Sequence, residues 1–328
     1  VYLNGEFWGI QNIREKVNEH YVSTHFDIEP DDLDMLAIQT GTPEPELIHG
    51  STEDYTEIRQ FMINNDLSVD ANYQHAAQKY DVDNLIDYKI AQIFVMNYDW
   101  PGNNNKLFKS KSGDGKWKHI MYDSDFGFER WTDLALDFIG SYETYNMLDH
   151  AIGEGNVFNN PVWSTAILTT FLENMDFRTK FINTYCDRLN TTYSAENTLY
   201  FMDSLRSIIE PYISDHINRY GPDIYDSYTP NTFGQYNAAY QGMQNFANYR
   251  PENARSEMVE IFGLSGSSNT ISLYMNDIEA GHIEINSLEI REQGWSGEYF
   301  SDVPITVKAV PSFGYEFSHW SEPSYGDS

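Results

Sequence analysis

Four side chains with carboxylate or amide oxygens lie close together in the middle of the chain. Asp99 is followed five residues later by Asn104, and an apolar run further on ends at Asp123 and Asp125. One carboxylate could position an attacking hydroxyl while the other oxygens hold a divalent cation against phosphates. The ordinary explanation of Asp123 and Asp125 is a solvated strand end. We expect a metal site instead, because three carboxylates are predicted to converge.

The order of these residues matches the order in protein kinases, where Asp-x-x-x-x-Asn precedes a strand and then Asp-Phe-Gly. Pro101 fixes one φ angle and Gly102 permits another, so a tight turn can point Asp99 and Asn104 to one side. Each half of this pattern is common by chance. Joined by a Gly-Asp-Gly turn and a predicted strand at Lys116 to Tyr122, the two halves indicate one phosphoryl-transfer site.

The element that must deliver the first loop is a helix predicted over Asp81 to Asn97. Its apolar residues form a wide stripe, which is typical of a buried helix, and Asp83 is a candidate cap. Upstream, two strands are predicted at Val1 to Leu3 and Phe7 to Ile13, because Asn-Gly between apolar runs is a strong hairpin signal.

Four segments resemble one known family, the CotH (spore coat protein H) atypical protein kinases. They are NYDWPGNNNKLF and KWKHIMYDSDFGFE in the centre, NGEFWGIQNIRE near the start, and NYRPENARSEMVEIFGL near residue 260. The resemblance covers roughly residues 1 to 264. It implies an α+β chain with an atypical protein-kinase-like fold, largely the helical lobe with an incomplete N-terminal lobe.

The resemblance also implies ATP-dependent phosphorylation of protein Ser or Thr. Asp99 would be the catalytic-loop carboxylate, Asn104 a metal ligand, and Asp123 or Asp125 the metal-binding aspartate. Two readings of that last pair stay open. Asp125 begins the Asp-Phe-Gly triplet, whereas Asp123 directly follows the apolar strand, and residues two apart on a strand share a face. Hard oxygen ligands suit Mg²⁺ or Mn²⁺.

Two further residues are candidate nucleotide ligands. Glu15 would lie at the link between lobes and could bind the nucleotide's amino group or ribose; a helix-start carboxylate favoured by the helix dipole is an equal alternative. Lys106 is the nearest cation to Asp99 in sequence and could contact phosphate, although a solvated strand face explains it as well.

The sequence has no Gly-x-Gly-x-x-Gly, so a glycine-rich loop and a phosphate-binding lysine are expected to precede Val1. Residues 1–328 are therefore expected to bind nucleotide weakly or not at all. A stretch after Arg130, from Asp133 to Asp149, would be the activation or substrate-binding segment.

The formal net charge is −30, from 50 acidic and 20 basic residues. Such a surface offers no cationic face that could bind nucleic acid. It would attract basic proteins, so the predicted partner is a basic, Ser/Thr-rich protein substrate. It would also repel free nucleotide unless a divalent cation and local Lys or Arg offset the field. The single cysteine, Cys186, predicts a core residue and no disulfide, and no apolar stretch is long enough for a membrane span.

A Gly/Ser-rich linker at Gly263 to Asn269 divides the chain into predicted domains, 1–264 and 265–328. The second domain shows strand alternation, with strands expected at Thr270 to Tyr274, Gly281 to Ile285, Pro304 to Ala309 and Tyr315 to Trp320. It resembles small β repeats of secreted and surface bacterial proteins, is expected to be incomplete, and is the main reason to expect an extracellular or cell-surface location.

Three function classes remain. The first is a Mg-ATP-dependent kinase, the second a catalytically inactive kinase-like structural or binding protein of the surface or spore coat, and the third a metal-dependent phosphoesterase. The third is weakened because His75 is the only histidine between His49 and His119, so the carboxylates have no histidine among them.

Overall fold

The computed structural model of the protein describes residues 1–39, 41–128, 143–153, 160–221 and 230–321. The chain is an α+β protein, as the sequence predicted. The helices within the described residues are α1 (Glu19–Phe26), α2 (Glu53–Asn64), α3 (Asp70–Lys79), α4 (Val82–Phe94), α5 (Met147–Ile152), α6 (Val162–Phe171), α7 (Met175–Asn190), α8 (Ala195–Tyr220) and α9 (Phe233–Phe262).

The strands fall into a central sheet, an N-terminal hairpin and two small C-terminal sheets. They are β1 (Tyr2–Leu3), β2 (Glu6–Phe7), β3 (Leu33–Ile38), β4 (Glu46–His49), β5 (Asn105–Ser110), β6 (Lys118–Ile120), β7 (Ser268–Tyr274), β8 (Gly281–Ile285), β9 (Leu288–Ile290), β10 (Gly294–Phe300) and β11 (Val307–Pro311). The structure does not describe residues 129–142, so residues 133–142 of the predicted activation segment lie outside the described residues.

The central sheet is antiparallel, with the strand order β4-β3-β5-β6. Its β5 strand starts directly after the Asn-rich loop, and β6 ends three residues before Asp123. Leu107 on β5 pairs with Leu36 on one side and His119 on the other. The β5–β6 hairpin therefore brings the two candidate loops to one end of the sheet.

Helix α4 is the buried support of the first loop. It begins at Val82, and the side chain of Asp81 caps it by accepting a hydrogen bond from the Asn84 backbone N–H. The prediction that Asp83 caps this helix was therefore wrong, because the cap is Asp81, two residues earlier. Eight of the thirteen α4 residues are buried, because the apolar stripe packs against both the sheet and the helices behind it.

Elsewhere the structure corrects two element predictions. The second strand of the N-terminal hairpin stops at Phe7 instead of Ile13, and the backbone after it packs on α8 through a hydrogen bond from Arg219 to the Phe7 carbonyl. Residues 315–320 form no strand, although Tyr315 to Trp320 was expected to. Among the described helices, none is long and apolar enough to cross a bilayer.

The strands after residue 264 pack directly on the helices. Ile283 and Tyr299 from these strands belong to the same hydrophobic cluster as Phe181 and Cys186 of α7. Asp187, fully buried on α7, lies at the centre of the contact. It accepts hydrogen bonds from the Ser287 backbone N–H (2.8 Å) and hydroxyl (2.6 Å), from the Asn286 amide (3.3 Å) and from the Tyr299 hydroxyl (2.6 Å).

The contacts of Asp187 test whether residues 265–328 fold independently of the helices. Asp187→Ala leaves four donors without their acceptor, among them the buried Tyr299 hydroxyl, so we expect the free energy of unfolding to fall by about 2–3 kcal/mol. The measurement is urea unfolding followed by tryptophan fluorescence, with Asp215→Ala on exposed α8 as the control. An unchanged midpoint for the helical region, with early loss of the strands alone, would contradict the shared packing.

Candidate active site

The first candidate loop turns sharply after α4. Met96 has a positive φ of 55°, Asn97 is fully buried, and the peptide bond between Trp100 and Pro101 is cis. Trp100 is also fully buried, and its indole N–H donates to the Asn105 side-chain oxygen at 3.1 Å. The Asn105 amide in turn donates to the carbonyls of Pro101 (2.7 Å) and Asn103 (2.9 Å). The loop is therefore held from inside by buried amide hydrogen bonds.

The two candidate loops meet at the side chain of Asn104. Its amide nitrogen donates to Asp99 Oδ2 at 3.0 Å and to the Asp123 backbone carbonyl at 3.2 Å. Asp99 Oδ2 also accepts a hydrogen bond from Asn103 at 2.9 Å. Asp99 is half-buried, so its carboxylate is fixed by two amides and still reaches solvent. The structure thus joins the Asp99 and Asn104 side chains to the Asp123 backbone, and the roles predicted for these residues stay predictions.

The second loop is a tight turn packed against the end of α4. Asp123 has a positive φ of 50°, and the Phe128 backbone N–H donates to the Val95 carbonyl at 2.8 Å. A Cβ atom added at Gly127 would lie 2.8 Å from the same carbonyl oxygen. Glycine is required there because the loop backbone passes too close to α4 for any side chain. Gly127 thus has a packing role that the Asp-Phe-Gly spelling alone does not reveal.

The acidic groups of the site influence one another. The pKa of Asp123 is raised above its usual value, first by burial and then by the charge and hydrogen bond of Asp125, with a smaller contribution from Asp99. The Arg14 guanidinium acts in the opposite direction. The three carboxylates therefore share one electrostatic environment. Within the described residues, however, no three His, Cys, Asp or Glu side chains are close enough to hold a metal ion by themselves.

This donor set fits a Mg²⁺-type ion that is completed by phosphate oxygens. Mg²⁺ is usually bound through one or two carboxylates plus substrate phosphates, and a protein cage of three carboxylates is not needed. Because the Asn104 nitrogen is used for Asp99 and the Asp123 carbonyl, its Oδ1 remains as an oxygen donor. Asp123 and Asp125 are exposed, and the repulsion between them is the kind that a bound cation relieves.

Lys106, on β5, points into the same region. Its ammonium donates to the Val17 carbonyl at 3.0 Å and lies 3.9 Å from the centre of the Tyr122 ring. Burial lowers the pKa of Lys106, whereas the charge of Asp123 raises it. The ammonium is thus held by the Val17 carbonyl and the Tyr122 ring, close enough to Asp123 for the two charges to interact, and is not on a freely solvated strand face.

A family model, CotH kinase protein, matches residues 1–254. The chain belongs to the CotH kinase family. The match includes both candidate loops, the helix that carries the first of them and most of α9. Neither the curated proteins nor the solved structures include a match to the chain.

Glu15, the second candidate nucleotide ligand in the CotH domain, has a neighbour that the sequence did not suggest. Its carboxylate pairs with the His25 ring nitrogen at 2.8 Å, and both side chains are exposed. Glu15 lies before Asn18, the residue that caps α1, and so is not the helix-start carboxylate of the alternative explanation. Its contact with a nucleotide stays a prediction.

Sequence reasoning missed Arg250, which binds the end of α4, the helix that leads into the first loop. This residue of α9 is fully buried, and its guanidinium donates to the carbonyls of Ile93 and Phe94, each at 3.0 Å. It also forms a two-pronged ion pair with Glu257. Arg250 therefore caps the last carbonyls of α4, and the Ile93 carbonyl also accepts a hydrogen bond from the Met96 backbone N–H at 3.1 Å. The signal in the sequence was an arginine beside a proline, within a segment recognised only by its resemblance.

Lys89 is the second residue that sequence reasoning missed. It lies on α4 with 3% of its surface exposed, and its ammonium is 4.8 Å from the centre of the Trp100 ring. No carboxylate of the described residues forms an ion pair with it. Burial lowers the pKa of Lys89 to about 7. The buried Lys89 ammonium, with its lowered pKa, therefore packs against Trp100 in the loop that carries Asp99.

Removal of Arg250 is expected to destabilise the CotH domain strongly. In Arg250→Ala, Glu257 becomes a buried charge without its partner, which costs about 3–5 kcal/mol. Chemical unfolding followed by circular dichroism measures this loss, with Arg206→Ala on α8 as the control because its ion pair is partly exposed. The double variant Arg250→Met, Glu257→Leu should recover part of the loss, and an Arg250→Ala protein as stable as the wild type would refute the capping role.

Lys89→Met should stabilise the protein, and the gain should depend on pH. Between pH 7 and about 10.4 the unfolded chain keeps the Lys89 proton that the folded chain releases, so this residue's contribution to stability improves as pH rises. The variant should therefore gain most at or below pH 7, on the order of 2–4 kcal/mol, and progressively less towards pH 10. Thermal unfolding of both proteins from pH 6 to 10 measures the difference. Lys308→Met, 64% exposed in the wild type, should show no such trend.

Proposed function

We propose that the protein is an ATP- and Mg²⁺-dependent kinase that phosphorylates Ser or Thr of a secreted or surface protein. The observation that carries the proposal is the Asn104 amide, which joins Asp99 of one loop to the Asp123 backbone of the other. Phosphoryl transfer needs a positioned carboxylate beside the oxygens that hold the metal–phosphate group, and this contact puts the two parts together.

Asp99 is the proposed positioning base. Its Oδ2 accepts hydrogen bonds from Asn103 and Asn104, whereas its Oδ1 accepts none from the residues that the structure describes. Oδ1 is therefore the oxygen that would accept a hydrogen bond from the acceptor hydroxyl. As that hydroxyl oxygen bonds to the γ-phosphorus, its proton passes to Asp99, and the bond to the β–γ bridging oxygen breaks to release ADP.

Asn104 Oδ1 and the carboxylates of Asp123 and Asp125 are the proposed metal ligands. When bound, Mg²⁺ or Mn²⁺ would neutralise phosphate charge in a protein whose own field is strongly negative. Lys106 would add a fixed positive charge next to the same phosphates, as its position beside Asp123 supports. Glu15 is proposed to contact the adenine amino group or the ribose.

The acceptor is proposed to be a basic protein. With 50 acidic against 20 basic residues, the enzyme attracts cationic segments and repels acidic ones, so acceptor hydroxyls flanked by Lys or Arg would be favoured. The extracellular or bacterial cell-surface location also belongs to the proposal. It is supported by the resemblance of residues 265–328 to β repeats of secreted proteins and by the CotH family membership.

The test uses the full-length protein and measures transfer of labelled phosphate from ATP, with Mg²⁺ or Mn²⁺, to the protein itself and to a basic Ser-rich acceptor. Asp99→Asn should lower kcat by about 100-fold or more, because a general base contributes at least this factor. The Asp123→Asn, Asp125→Asn double variant should abolish transfer and the response to added metal. Asp215→Asn, on the exposed surface of α8, is the matched control and should keep full activity.

Three results would contradict the proposal. Transfer that persists in Asp99→Asn would remove the proposed base. Release of free phosphate from a phosphoester without nucleotide would favour a phosphoesterase. Binding of Mn-ATP without turnover, by a protein that is folded by circular dichroism, would favour the catalytically inactive kinase-like alternative.

A further inference from the structure

A buried histidine from a different part of the chain contacts the first loop next to Asp99. His150 lies on α5, 50 residues from Trp100, and its Nε2 is 2.6 Å from the Trp100 backbone carbonyl. Its other ring nitrogen, Nδ1, is 2.5 Å from the Tyr145 hydroxyl. Only 2% of the His150 surface is exposed. Both ring nitrogens are therefore used, and neither faces the open side of the site.

The two contacts define the tautomer of His150. A carbonyl oxygen can only accept, so Nε2 carries the hydrogen and donates it to Trp100. Nδ1 is then the acceptor of the Tyr145 hydroxyl. Burial lowers the pKa of His150 to about 4, which keeps the ring neutral at physiological pH. The Trp100 carbonyl thus has a fixed, uncharged donor aimed at it.

Helix α5 is itself fixed to the support of the first loop. The Leu148 backbone N–H, in the first turn of α5, donates to Glu257 at 3.3 Å. Glu257 is the ion-pair partner of Arg250, which binds the last carbonyls of α4. The same buried ion pair therefore contacts both α4, which leads into Asp99, and α5, which holds the residue after Asp99.

We propose that His150 is a positioning residue for Asp99, and that Tyr145 orients it. The donor on α5 fixes the Trp100–Pro101 peptide unit, one residue beyond Asp99, and so limits the direction of the carboxylate relative to Asn104 and Asp123. The role rests on the proposed kinase function, because Asp99 is the base of that reaction. His150 touches neither substrate nor metal and acts only through the Trp100 carbonyl.

The experiment compares two substitutions of the same residue. His150→Phe fills the volume but removes the donor, whereas His150→Gln retains an N–H that can reach the Trp100 carbonyl. His150→Phe should lower kcat for phosphate transfer by about 10- to 100-fold, as expected for a misplaced catalytic group, with the KM for ATP changed less than about twofold. His150→Gln should recover most of kcat. Tyr145→Phe should give a smaller loss, because Nε2 keeps its hydrogen bond.

A second measurement does not depend on activity. In 19F-tryptophan-labelled protein, assigned by Trp100→Phe, the Trp100 signal should move in His150→Phe and stay near the wild-type position in His150→Gln. Tyr299→Phe also loses one buried hydrogen bond, at Asp187, and is the control for general destabilisation. It should leave both kcat and the Trp100 signal unchanged.

The two measurements separate the positioning role from the kinase proposal. If the wild type transfers no phosphate, the kinase proposal fails, while the Trp100 signal still reports whether His150 fixes the loop. An unmoved Trp100 signal in His150→Phe would overturn the inference. So would equal losses of kcat in His150→Phe and His150→Gln, or a kcat loss in Tyr299→Phe as large as in His150→Phe.

Discussion

The candidate site depends on one side-chain amide. Asn104 donates from a single nitrogen to Asp99 Oδ2 and to the Asp123 carbonyl, and so joins a loop after a helix to a loop after a strand. Both Asn104 and Asp123 adopt positive φ angles, of 57° and 50°. Asparagine and aspartate tolerate this conformation better than most residues, so the residue types that supply the oxygens also permit the sharp turns.

Around this contact, buried polar groups add hydrogen bonds to the apolar packing of residues such as Met96 and Trp100. Arg250 satisfies the carbonyls that end α4, Asn105 satisfies those inside the loop, and His150 satisfies the Trp100 carbonyl. Each group loses hydration on burial, and only a matched partner offsets that cost. The hydrogen bonds of such a network weaken when donor and acceptor move apart. The network therefore holds a catalytic carboxylate within a narrow range of directions.

Electrostatics limits what the site can bind. The chain has a formal net charge of −30, so an anionic nucleotide would approach against the field of the protein. Positive groups are found where they offset that field: Lys106 lies near Asp123, and the Arg14 charge also acts on Asp123. A divalent cation would complete the balance between the aspartates and the phosphates.

Several features were determined by the sequence alone, because they are local. The buried helix before Asp99 and the Asn4-Gly5 turn follow from periodicity and from residue types that favour one backbone conformation, and the α+β class was implied by the family resemblance. The order of Asp99, Asn104, Asp123 and Asp125 also predicted that the first and third would meet, because a β-hairpin between two loops returns the chain to the same end of a sheet.

Only the tertiary structure decided what holds those loops. Arg250 contacts a carbonyl 156 residues away, and His150 contacts one 50 residues away. A period of 3.6 or 2 residues describes neighbours along the chain and cannot specify such pairs. In the folded chain α9 is continuous through Pro251, and the strands beyond residue 264 join the helical core through Asp187. The buried Asp187 carboxylate is stable because distant strands supply its hydrogen-bond donors. Those contacts form only when the chain is folded.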